Sequence, residues 1–329
     1  MKDFWKKQAQ KPMVFLSPMD GYTDSAYRQV NKRVNPDIFT VSEFYSVDGL
    51  VHSKFLASSV LPHADIEKPL IIQVFGKDPE MFAKAAKIIE RYDIAGIDVN
   101  MGCPAKKVVK SGHGSGLIIN QDTAFQIVET LNKATKLPVS VKTRLGWDGS
   151  GTLINFVKLE SAGASLIAVH GRTAAQAYTG TADFTQIYEL KKHVSIPVVC
   201  NGDIQNIDDG LAKLTSPDGS VTLDCMIRRA TYGNPWCFVK GGYTPNLGEI
   251  LDTMDFHARA LLVSKEKKAP LDIRKHLVQY LKGFPVSAYR KRLVTVATIE
   301  VLLDLLEEIR NEFAQYLHIP PREIVLEEK

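Results

Sequence analysis

At 329 residues, 45% hydrophobic and 24% charged, the chain has the composition of a globular enzyme and is too long for one small core. No apolar run is long enough to span a membrane, the opening Met1–Lys11 lacks the apolar centre of a secretory signal, and the four cysteines (Cys103, Cys200, Cys225, Cys237) contain no C-x-x-C pair. These features argue against a spanning segment, a disulfide framework and a metal site, point to the cytoplasm, and leave any electron carrier organic; the net charge of +4 is too small to indicate a nucleic-acid partner by itself.

Eight short apolar, β-branched runs recur, at Val14–Met19, Ile38–Phe44, Leu70–Gly76, Gly96–Gly102, Val139–Leu145, Leu166–Gly171, Val198–Asp203 and Leu223–Arg229. From residue 14 to residue 223, seven intervals cover 209 residues, about 30 each, which is the length of a β-α unit. This spacing predicts an α/β fold, a (β/α)8 TIM barrel followed by a C-terminal α-helical domain. A doubly wound open sheet is the alternative, but no G-x-G-x-x-G follows the first run, and Gly112-His-Gly-Ser-Gly116 comes later with a different spacing.

Most of these runs end in polar or reactive residues: Glu43, Gln73, Asn100 with Cys103, Lys142 with Arg144, His170 with Arg172, Asn201 with Asp203, and Arg229. Barrels gather their chemistry at the C-terminal tips of their strands, so this recurrence predicts a site there. The most specific stretch is Asn100-Met-Gly-Cys103-Pro-Ala-Lys-Lys107, where a thiol sits between glycine and proline as an apolar strand ends. A buried structural cysteine is the plain alternative, but glycine permits close approach of a ligand and proline fixes the exit of the chain, and that setting favours a proton donor. Asn201-Gly-Asp203 and Arg228-Arg229 fall at the seventh and eighth tips, where barrels commonly hold phosphate. Lys142 is suited to stand beside an electron-rich ring, Gln73 to hydrogen-bond its edge, and His170 to orient the ligand from the opposite strand.

After about Pro245 the strand signal gives way to long helices, which divides the chain into a catalytic barrel, residues 1–243, and a helical domain, residues 244–329. Leu293, Val296, Ala297, Val301, Leu305, Ile309, Phe313 and Leu317 recur at mostly three- and four-residue steps and predict one packed helical stripe from Arg290 to Leu317. From His257 to Arg292 ten Lys/Arg stand against Glu266 and Asp272, and from Glu300 onward the balance is acidic. A basic stripe of this kind is a solvated helix face or the footprint of a polyanionic substrate.

Taken together, Ser17-Pro-Met19, Ser42-Glu43, the Cys103 stretch, Gly112–Gly116, Lys142, His170-Gly-Arg-Thr173, Asn201-Gly-Asp203, Gly233-Asn-Pro-Trp236, Arg274-Lys-His276 and Tyr280-Leu-Lys-Gly283 resemble the tRNA-dihydrouridine synthases over most of the chain. The resemblance implies FMN held by Ser17, Pro18, Met19, Gln73, Lys142, His170, Asn201, Gly202, Asp203, Arg228 and Arg229, with NADPH or NADH as reductant and no metal. Cys103 is then the acid that protonates C5 of a tRNA uracil after hydride reaches C6 from the flavin. The implied tRNA and uridine contacts are Asn100, Arg144, Lys106, Lys107 and Lys110 near the target, with Arg274, Lys275, Lys282, Arg290, Lys291 and Arg292 on the helical domain of a monomer. Two positions depart from the family pattern: Arg228 replaces the usual glycine before the arginine of the phosphate loop, and Gln279 replaces an aromatic residue before Tyr280. Competing functions are an FMN barrel reductase acting on a free pyrimidine, like dihydroorotate dehydrogenase, or on a small enone, and a tRNA-binding factor that keeps a flavin site without turnover.

Overall fold

The eight apolar runs form eight parallel strands in the computed structural model, which describes residues 4–8, 11–149, 154–283, 287–320 and 323. They are β1 (Val14–Leu16), β2 (Phe39–Ser46), β3 (Leu70–Phe75), β4 (Gly96–Asn100), β5 (Val139–Arg144), β6 (Leu166–His170), β7 (Val198–Asn201) and β8 (Asp224–Ile227). They close in sequence order, with β1 pairing β8, into the expected barrel. Helices such as Pro79–Ile89 after β3 and Gln121–Ala134 after β4 supply the crossovers. Ile97, Val99, Val139 and Val141 are at most 1% exposed, and alternate residues on both sides of these strands are buried, so the sequence shows continuous apolar runs rather than strict alternation.

The barrel interior is built by two-residue periodicity. Phe15, Ile71, Ala168, Val199 and Met226 belong to one buried apolar cluster, joined by Trp5 of the helix Phe4–Gln8, whose ring lies 5.8 Å from Phe15 and 5.7 Å from Phe39. Two positions further along the same faces stand Ser17, Gln73, His170, Asn201 and Arg228. Each strand therefore carries an oil layer toward its N-terminal end and a polar layer toward its C-terminal end. Registers align the polar layer: Gln73 pairs Asp98, Asn100 pairs Lys142, Arg144 pairs His170, and His170 pairs Asn201. A register shift between Val41 and Phe44 interrupts the alternation of β2, and Phe44 reaches the same end of the barrel.

The chain groups into two packing units, residues 1–23 with 37–228, and residues 24–36 with 229–329. The division read from the sequence lay at 243/244, so residues 24–36 and 229–243 fall in the helical unit instead. The physical reason lies within that unit. Helix Ser25–Val34 is N-capped by Asp24 and buries Ala26 in the core formed by Leu247–Lys265, Ala269–Tyr280 and Ile299–Glu312. The Tyr27 hydroxyl donates to the Thr231 carbonyl at 2.7 Å, and Asp24 pairs with Lys265 at 2.8 Å.

The expected stripe from Arg290 to Leu317 is broken. Two helices, Ser287–Val294 and Ile299–Glu312, replace one. Thr295 turns its hydroxyl back to the Lys291 carbonyl at 2.7 Å, and Thr298 caps the next helix by accepting from the Val301 amide. Such hydroxyls compete with helix propagation. The break rotates the buried face onto Ile299, Leu302, Leu305, Leu306 and Ile309, and leaves Val301 50% exposed.

Candidate active site

Cys103 is partly exposed, whereas Cys200, Cys225 and Cys237 are buried and their thiols are pushed up by burial. A chain of hydrogen bonds fixes the loop that carries it. The Cys103 amide donates to Asn100 Oδ1 at 3.0 Å, Asn100 Nδ2 donates to Gln73 Oε1 at 2.9 Å, and Gln73 Nε2 donates to Asp98 Oδ2 at 2.7 Å. Ser140 completes the chain by donating to Asp98 Oδ1 at 2.6 Å. Burial pushes the Asp98 carboxyl up to about 6 against the pull of these donors. The Gly112–Gly116 segment packs behind the loop: Gly114 has φ +58, and a Cβ there would lie 2.8 Å from the Cys103 carbonyl oxygen. The Ser115 amide donates to that same carbonyl at 3.1 Å.

Cys103 lines a cavity of ≈ 310 Å³ at the C-terminal ends of the strands, together with Pro18, Asp20, Phe44, Asn100, Lys142, Arg144, His170, Tyr178, Asn201 and Arg228. Its electrostatics are cationic. Burial, then Arg228 and Arg144, pull the Lys142 ammonium down to about 7, and its Nζ donates to Asn201 Oδ1 at 3.3 Å. His170 is driven far below the usual imidazole range by burial and then by Lys142, Arg144, Arg172 and Arg228, so it is neutral at physiological pH. Clustered cations, with Lys142 held at the edge of its charge, are suited to an anion or an electron-rich ring.

The residues expected to hold FMN divide by position. Pro18, Lys142, His170, Asn201 and Arg228 line the cavity. Ser17 is fully buried and its hydroxyl has no hydrogen-bond partner among the described residues, an orphaned donor consistent with a ligand at this end of the barrel. Met19 shapes the turn, its carbonyl accepting from the Tyr22 and Thr23 amides at 2.9 Å each. Gln73 is fully buried, with both amide atoms engaged by Asp98 and Asn100, and so reaches the cavity through Asn100. Gly202 has φ +126 and a Cβ there would lie 2.6 Å from the Ala182 Cβ. Asp203 pairs with the buried Arg172 at 2.6 Å. Arg229 opens the short helical turn Arg229–Thr231 and lies outside the cavity lining. The departure at Arg228 puts a guanidinium over Tyr178, 4.9 Å from the ring centroid.

The uridine and tRNA candidates divide in the same way. Asn100 and Arg144 line the cavity, but Arg144 spends its donors on the Gly102, Thr173 and Ala177 carbonyls, bracing the Cys103 loop against the segment after β6. Lys106 and Lys110 line a neighbouring cavity, and Lys107 is exposed beside them. In the helical unit Arg274 donates to the Val296 carbonyl at 3.0 Å, and Arg292 forms two bonds to Glu308 at 2.7 and 2.6 Å. Lys282, Arg290 and Lys291 are exposed, and Lys275 is partly buried. Sequence reasoning missed Asp98, Ser140 and Tyr178. Strand register would have paired Asp98 with Gln73 and Ser140, whereas Tyr178 lies in a loop without periodic signal.

A closed eight-stranded barrel with a thiol and a cationic pocket at its strand tips defines the class of α/β-barrel enzymes with a C-terminal-face site. The fold alone is shared with a solved 2-naphthoyl-CoA reductase, which superposes with a TM-score of 0.50 at 11% identity over 69% of this chain and 49% of that one. The family model "Dihydrouridine synthase (Dus)" matches residues 15–314. The chain is 34% identical to a probable tRNA-dihydrouridine synthase 1 of Synechocystis sp., covering 90% of this chain and 85% of the relative. It is 36% identical to a probable tRNA-dihydrouridine synthase of Mycobacterium tuberculosis, covering 90% and 82%, and 34% identical to tRNA-dihydrouridine synthase B of Xanthomonas campestris, covering 84% and 86%. The chain belongs to the dihydrouridine synthase family.

Proposed function

We propose that this protein is a flavin-dependent tRNA-dihydrouridine synthase in which Cys103 delivers the proton that completes reduction of a uracil ring. The observation that carries the reading is the partly exposed Cys103 on the wall of a cationic cavity, held there by the Asn100, Gln73 and Asp98 chain. The proposed flavin is FMN, with Ser17, Pro18, Lys142, His170, Asn201, Gly202 and Arg228 at or beside its place, and Met19, Gln73, Asp203 and Arg229 supporting them. Bound there, a reduced flavin supplies the hydride for C6 of the uracil.

The chain's own residues do the rest. Lys142 and Arg228 offset negative charge in the cavity, while neutral His170 offers a hydrogen bond without competing as an acid. Hydride addition to the conjugated carbonyl leaves an enolate, and Cys103 transfers its thiol proton to C5. General acid catalysis of this kind contributes roughly 10²–10⁴-fold. Uridines in folded tRNA are stacked, so the nucleotide is drawn out into the cavity. Lys106, Lys107 and Lys110 meet nearby phosphates, and Lys275, Lys282, Arg290 and Lys291 more distant ones. Arg274 and Arg292, engaged within the helical unit, contribute less. NADPH or NADH is the proposed reductant, and the proposed setting is a cytoplasmic monomer. No described helix is long and apolar enough to cross a membrane.

The test is a substrate comparison with the FMN-loaded protein. NADPH consumption with unmodified tRNA, and dihydrouridine in the product, is expected; free orotate and cyclohexenone should turn over far more slowly. Comparable rates on the free compounds would replace this reading with that of a small-molecule barrel reductase.

A further inference from the structure

A second cavity, of ≈ 250 Å³, shares Pro104 with the one that holds Cys103. Apolar Pro104, Val109, Ala174 and Ala175 line it with Trp147, Lys106 and Lys110. The indole is held on a pinned loop: the Ala174 amide donates to the Gly146 carbonyl and the Ala175 amide to the Trp147 carbonyl, each at 2.8 Å. Ser115, also in the lining, is fully buried, and its hydroxyl has no hydrogen-bond partner among the described residues.

Charge at this place is open, as it is at the exposed Lys282, Arg290 and Lys291 of the helical unit, but here it lies beside an indole. In the helical unit Arg259 pairs with Asp255, Lys265 with Asp24 and Asp272, and Arg292 with Glu308. Lys106 and Lys110 pair with no carboxylate among the described residues, so their full charge is open to a polyanion. An indole and apolar side chains lining one cavity, with ammonium groups in the same lining, are the donor set of a single-stranded nucleotide site.

We propose that this cavity receives the base of a nucleotide adjoining the target uridine, stacked on Trp147, with the flanking phosphates on Lys106 and Lys110. The proposal rests on the tRNA reading above and adds a subsite to it. Extruding a uridine deprives its neighbour of a stacking partner, and Trp147 replaces that partner beside the loop that presents Cys103. An apolar and aromatic lining accepts any base face, so the subsite contributes affinity and position more than sequence preference.

Steady-state kinetics with unmodified tRNA test it. Trp147→Ala should raise KM for tRNA on the order of tenfold, the loss of one base stack, with the flavin spectrum and the rate of flavin bleaching by NADPH unchanged. Trp147→Phe, which keeps an aromatic face, should recover most of the loss. The double variant Lys106→Gln with Lys110→Gln should flatten the log–log salt dependence of tRNA affinity by about 1.4–1.8, two phosphate contacts' worth. A Trp147→Ala enzyme with the parental KM for tRNA, or an unchanged salt slope in the lysine variant, overturns the subsite while the parent remains a tRNA reductase. A parent that ignores tRNA overturns the functional reading itself, and the subsite with it.

Discussion

Asp98 holds no position in the cavity wall, yet the orientation of the Cys103 loop converges on it through Gln73 and Asn100. Replacing Asp98 with alanine strands the Ser140 hydroxyl and the Gln73 amide in a buried site, at a cost of about 1–3 kcal/mol for each unsatisfied donor. Asp98→Ala should therefore lower the melting temperature by several degrees and reduce kcat for uridine with little change in KM for tRNA. Asp98→Asn, which keeps one acceptor oxygen, should recover part of the rate; an alanine variant with parental kcat would remove Asp98 as a positioning residue. Lys142 makes a pH-dependent prediction. Its folded-state pKa of about 7 lies below the 10.5 of a lysine in the unfolded chain, so protonation favours the unfolded chain. The resulting destabilisation is complete below pH 7 and fades as pH rises toward 10.5. In flavin-free protein, Lys142→Met should raise the melting temperature most at pH 6, and the difference from the parent should close by pH 10. A difference constant across that range would contradict the assignment.

At the scale of elements, the tip of β7 shows how much the backbone contributes. Gly202 adopts φ +126, and an added Cβ would meet the Ala182 Cβ at 2.6 Å and the His170 ring at 3.1 Å. Gly202→Ala should destabilise the barrel by about 1–3 kcal/mol through strain and crowding, and weaken flavin binding by displacing His170; a variant with the parental melting curve and flavin affinity would show that the tip tolerates a side chain. Strand tips were legible in the sequence because apolar runs recur at the length of a β-α unit and most end in polar residues, as at His170 or Asn201; the two-residue layering from Ala168 to His170 shows only in the structure. Asp98 was not legible, since only strand register places it against Gln73 and Ser140. The helix break at residues 295–298 was hidden for another reason: apolar spacing continues through Val296 and Ala297 while two threonine hydroxyls end one helix and cap the next.

Across the whole molecule, the chain's order misleads about packing. Helix Ser25–Val34 lies between β1 and β2 in sequence and reads as an ordinary crossover, yet Asp24, Ala26 and Tyr27 bind partners drawn from residues 229–329. No periodicity distinguishes such a helix from its neighbours, because the apolar face is the same whichever core receives it. Charge counting had a similar limit. The ten cations from His257 to Arg292 suggest one basic stripe, but the structure pairs Arg259, Lys265 and Arg292 with carboxylates, and among the described residues Lys106 and Lys110 beside the Cys103 loop pair with none. The proposed reaction depends on Cys103 as the acid of uridine reduction. Rapid-mixing measurement of the two half-reactions in Cys103→Ala tests it most directly: flavin bleaching by NADPH should proceed at the parental rate, and dihydrouridine formation from tRNA should slow by roughly 10²–10⁴-fold. Parental dihydrouridine formation, or equal loss in both half-reactions, would contradict it.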